Sequence, residues 1–155
     1  MMLVRLLRVS ELRLQGAERR LQAARSVLQA AEAAILRAEA EREMVLSQIE
    51  KQRNLARELF VGSVQARVAV EDMLMDLGSF DRAENAAEQN VQAAVKARDG
   101  AKPAVAEAQK ARRAAQIKVD KRRILARQDA AMREGARLAV EEADALEQWT
   151  AGRMV

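Results

Sequence analysis

Residues 14–38 read LQGAERRLQAARSVLQAAEAAILRA, and within them Leu14, Ala17, Leu21, Ala24, Leu28, Ala31, Ile35 and Ala38 alternate at intervals of three and four. That spacing keeps one stripe of a helix against a single neighbour. A large aliphatic residue stands at one seam position and alanine at the other, so a partner helix can come close at each alanine while Leu or Ile fills the space beside it. The expected fold is all-α: an elongated antiparallel two-helix coiled coil, or α-helical hairpin.

Working outward, the same frame continues through Val45, Ile49, Ala56, Leu59, Ala66, Val70, Met73 and Leu77, with polar Arg42, Gln52 and Ser63 at three seam positions. No proline or multiple-glycine break precedes residue 77, which predicts a first helix over about 3–76, roughly 110 Å at ~1.5 Å per residue. The run Asp76-Leu77-Gly78-Ser79-Phe80-Asp81 joins a helix-stop glycine to Ser79 as an N-cap with Asp81 in the first turn. It places the turn at about 77–79 and the second helix at about 80–151, the whole of 1–155 forming one domain.

Asp99-Gly100-Ala101-Lys102-Pro103 is the other candidate reversal, because proline costs about 3 kcal/mol inside a helix. A turn there would leave roughly the first 45 residues, with the best heptads, unpartnered. A turn at Gly78 instead pairs residue i with about 156 minus i. It sets residues 110–127, with eight basic groups and one acid, against 29–46, with four acids and two basic groups. Pro103 then becomes a kink in the second helix, near 99–103. The same rule puts Trp149 opposite Leu7 as a clamp for the termini. From Phe80 to Ile117 the apolar residues are only Ala and Val, apart from Gly100 and Pro103. Little transfer energy follows from burying them, so this stretch is expected to be the softest. Its heptad phase is hard to assign until Leu125, Met132, Ala139 and Leu146.

Composition narrows the function. Aromatic residues make up 2% of the chain, with no histidine and no cysteine, so the commonest general base and metal ligand is missing and no thiolate is available. No Gly-rich phosphate loop, paired-cysteine site or Ser/His/Asp set occurs. Acids on one helix face, such as Glu39 and Glu43, read as solvated charge. A non-enzymatic protein is expected, with no catalytic residue, cofactor, metal or small-molecule substrate. The opening Met1-Met2-Leu3-Val4-Arg5 is broken by charge every few residues, without a signal core or membrane span. A cytoplasmic location without membrane insertion follows as an expectation.

The net charge of +4 divides between 27 basic and 23 acidic residues, the pattern of a solvated, salt-bridged helix surface. Arg19-Arg20 and Lys121-Arg122-Arg123 lack interleaved aromatics, so intramolecular or solvated charge is the first reading, an acidic protein partner the second and nucleic acid the third. Phe60, Met73, Met75 and Phe80 cluster near the expected turn, where a two-helix rod has no third layer to cover them. They are read as tip-stabilising packing or as a docking surface.

Val4-Arg5-Leu6-Leu7-Arg8-Val9-Ser10-Glu11-Leu12-Arg13, followed by Ala17-Glu18-Arg19-Arg20-Leu21, resembles the opening of the type III secretion stalk proteins. These are the YscO-type proteins of the injectisome, with FliJ-type flagellar counterparts. The resemblance covers about 20 positions in specific residues, while length and helical character match throughout. It implies a coiled coil similar to the γ-subunit stalk of rotary ATPases, with paired termini entering a hexameric secretion ATPase. It further implies a link from that ring to an export gate at the inner membrane and a virulence role, extending in some members to export chaperones. Arg5, Arg8 and Arg13 are carried over as ATPase-facing residues, and Leu6, Val9 and Leu12 as packing. A monomer accords with a stalk, a stable dimer with a generic coiled-coil adaptor, and salt-sensitive duplex binding through 110–127 with a nucleic-acid rod.

Overall fold

The structure, a computed structural model, describes residues 2–60 and 67–154; the side chains of Leu59, Phe60, Arg67, Val68 and Val70 lie outside that description. It holds two helices packed against each other: α1, Met2–Phe60, and α2, Arg67–Arg153. No strand occurs among the described residues. The chain divides into two compact units. Unit 1 joins Met1–Leu21 to Glu107–Val155, and unit 2 is Gln22–Ala106.

The α1 stripe is as periodic as its sequence. In unit 1 the covered stripe of α1 runs Leu3, Leu7, Ser10, Leu14, Ala17 and Leu21, with Glu11 and Gly16 partly covered beside it. In unit 2 it continues through Ala24, Leu28, Ala31, Ile35, Ala38, Arg42, Val45 and Ile49, with Ala34 and Glu39 partly covered beside it. Beyond Ile49 the partly covered positions are Arg53 and Ala56, and Gln52 is exposed.

The reversal expected at 77–79 is corrected by α2, which contains Leu77, Gly78 and Ser79 and begins at Arg67. No described glycine has a positive φ, so Gly78 makes no left-handed helix stop. A glycine inside a helix costs only about 1 kcal/mol. Met73, Phe80 and Ala87, seven residues apart, stay on the less exposed side through it. The burial they provide outweighs the local stop signal. The sequence between the two helices, residues 61–66, carries a second Gly-Ser pair, Gly62-Ser63.

The pairing changes accordingly. In unit 1, Arg123 pairs with Glu11 at 3.2 Å and Arg112 with Glu18 at 3.8 Å. In unit 2, Arg42 pairs with Glu88 at 3.0 Å and Arg53 with Asp81 at 3.7 Å. The two helices run in opposite directions within each unit, and the residue numbers of each pair add to between 130 and 134, in place of about 156. The charge match expected between 110–127 and 29–46 is therefore not the one made.

The α2 phase that the sequence left unassigned is an alternation of three and four, broken at exposed Arg112. In unit 2 it runs Ala87, Val91, Ala94, Arg98, Ala101 and Val105, and in unit 1 Ala108, Ala115, Val119, Arg122, Ala126 and Asp129. Val119 is fully buried. Pro103 is exposed inside the helix, two residues from buried Ala101, and α2 runs through it without interruption. The seam expected at Leu125, Met132, Ala139 and Leu146 is corrected, since all four are exposed. With the first turns of α1 opposite 122–129, residues 130–154 of unit 1 are exposed throughout.

Candidate protein-binding surfaces

In unit 1 the N-terminal part of α1 is tied to α2 by polar contacts. Ser10 is 3% exposed; its hydroxyl donates to the Leu6 carbonyl at 3.0 Å and accepts from the Arg122 guanidinium. The same Arg122 nitrogen also donates to the Leu6 carbonyl at 3.0 Å. With Arg123 on Glu11 and Arg112 on Glu18, three of the eight basic residues in 110–127 are engaged within the chain.

Arg5, Arg8 and Arg13 are exposed and have no ion-pair partner among the described residues. They stand to either side of the engaged Glu11 without using it. Leu6, Val9 and Leu12, expected to pack, are 40%, 43% and 58% exposed. Their positions fall between the α1 residues that face α2. Val9, Leu12, Arg13, Gly16 and Arg20 line one open groove of about 580 Å³ whose far wall includes Ala111 and Ala115.

The tip candidates separate. Met73 and Phe80 share a groove of about 420 Å³ in unit 2 with Ala56, Leu77, Arg53 and Asp76. Met75 is 73% exposed and stands outside that lining. The Phe60 side chain lies outside the described residues. Trp149, expected to clamp against Leu7, is exposed and carries the Arg153 guanidinium 4.0 Å from its ring centroid. The changed register removes α1 from its side.

A surface that sequence reasoning only half identified lies on α2 of unit 1. Adjacent apolar residues recur every seven positions as Ile124-Leu125, Ala131-Met132, Leu138-Ala139 and Ala145-Leu146, preceded by Ile117. All are exposed. At 3.6 residues per turn they centre about 150° around the helix from Val119 and Ala126, which face α1. The signal was the heptad itself, but the expected register assigned half of it to the α1 contact.

Among the described residues no cluster of acids could hold a metal ion, and no helix is long and apolar enough to cross a membrane. Comparison with protein-family models, curated proteins and solved structures gave no match.

Proposed function

We propose that this chain is a non-enzymatic, antiparallel coiled-coil hairpin acting as the central stalk of a type III secretion ATPase, coupling the hexameric ring to the export gate by binding. The observation that carries this reading is the α2 segment 130–153, a helix with every side exposed. A helix exposed on all sides offers contacts that a ring can engage simultaneously, and neither unit adds a third helix that would obstruct entry. Arg5, Arg8 and Arg13, exposed on the first turns of α1 and without ion-pair partners among the described residues, supply charge for acidic groups at a ring entrance. The N-terminal resemblance gives the reading its specific partner. The Met73–Phe80 groove is the candidate contact for the gate, and export chaperones remain further candidate partners. The corresponding location is cytoplasmic, peripheral to the inner-membrane apparatus.

A photo-crosslinking amino acid at position 139 tests this reading with the assembled ATPase hexamer. Crosslinks from position 139 to pore-lining segments are expected. Capture of no ATPase at 139 overturns it. The second reading, a coiled-coil adaptor, is favoured by the exposed heptad face of α2, which a ring does not require.

A further inference from the structure

The apolar doublets of α2 form a stripe with its own charge pattern. Near its centre line stand Lys121, Gln128, Gly135 and Glu142, one per heptad. Lys121 and Glu142 are exposed, and neither has an ion-pair partner among the described residues. The stripe is therefore basic at one end, acidic at the other, and apolar along both flanks.

We propose that this face binds the same face of a second copy of the chain, with the two α2 helices antiparallel over about residues 114–149. A helix can be set antiparallel against its own copy so that Lys121 meets Glu142 of the other copy, at both ends of a two-fold axis. That single choice fixes all other pairs. Leu125 then meets Leu138, Ile117 meets Leu146, Ile124 meets Ala139, Gln128 meets Gly135 and Ala131 meets Met132. Large residues fall against small ones at three of these levels and the two leucines share another, which gives the steric match of a packed helix pair. Trp149 lands on exposed Ala114, where its ring has room. The parallel alternative stacks Lys121 on Lys121 and Glu142 on Glu142, so charge selects the antiparallel arrangement. The overlap is about 54 Å long, and it occupies the side of α2 turned away from α1.

The dimer replaces the monomer that the stalk reading expects for the free chain and, by that criterion, favours the adaptor reading. Sedimentation equilibrium of the full chain is expected to give twice the 17.2 kDa of one chain. Leu125→Asp with Leu138→Asp returns the mass to that of one chain while helicity by circular dichroism is retained, since both residues are exposed in unit 1. Lys121→Glu alone and Glu142→Lys alone each weaken dimerisation roughly tenfold, and the two together restore it. A parallel dimer would show no such rescue. Trp149, in a chain without tyrosine, reports directly: its emission shifts to the blue as the dimer forms. A single-chain mass at high concentration, a dimer that survives the leucine substitutions, or singles that the double change fails to rescue would each overturn the proposal.

Discussion

The Arg122 side chain of α2 donates to the hydroxyl of Ser10 on α1, at a position where Ser10 is almost fully buried. There a cation is satisfied by a neutral hydroxyl and by a carbonyl, that of Leu6. Because both acceptors belong to α1, the contact marks the register of the pair as well as contributing to it.

Arg122→Ala removes this donor and is expected to destabilise the folded chain by about 1–2 kcal/mol. Arg122→Leu, which supplies apolar contact where the guanidinium lay, should recover much of that loss, because a partly buried charge carries a desolvation cost. Denaturant titration followed by circular dichroism checks both. Equal losses for the two variants would show that the hydrogen bonds, and not the packing of the stem, dominate.

Val119 is the fully buried side chain of unit 1. Val119→Ala removes two methyl groups from a site closed by both helices and is expected to cost about 2 kcal/mol. Val140→Ala, at a position 60% exposed on the same helix, should change stability by less than about 0.5 kcal/mol. The comparison measures how strongly α1 protects α2 before and after residue 130.

Gly78 discriminates between the turn expected from sequence and the helix found. A Cβ at this position meets no atom within 4 Å, and the backbone is helical. Gly78→Ala should therefore stabilise the chain by about 0.5–1 kcal/mol through the smaller entropy of the unfolded state. In a left-handed turn the same substitution would destabilise. Thermal unfolding of the variant gives the sign.

Pro103 lies inside α2 and cannot donate to the Asp99 carbonyl one turn earlier. Pro103→Ala restores that donor, and a gain of up to about 3 kcal/mol is expected. Amide hydrogen exchange should slow over residues 99–107 in the variant, as the weakest stretch of the α2 ladder is repaired.

How much the sequence discloses depends on the seam. Leu14 to Ala38 carries large aliphatics at alternate seam positions, and its buried stripe is legible residue by residue. Val91 to Ala126 carries Ala, Val and Arg in the corresponding places, with alanines on both faces, so periodicity alone could not choose the face. The helical class was legible, but the reversal was not, because equal arms favoured Gly78-Ser79, which α2 runs through. That choice carried the register with it and sent Trp149 to Leu7. Arg5, Arg8 and Arg13 were legible as exposed cations, whereas the Ser10–Arg122 contact depends on a register that local sequence does not encode.

The central claim is that this chain acts on a secretion ATPase through its N-terminal cations and the exposed α2 segment 130–153. ATP turnover by the hexameric type III secretion ATPase, with and without the purified chain, tests it most directly. Stimulation is expected, and changing Arg5, Arg8 and Arg13 together to Ala should abolish it while circular dichroism shows intact helices. Absence of both binding and stimulation with the unaltered chain would contradict the stalk and leave the self-associating adaptor as the account of this protein.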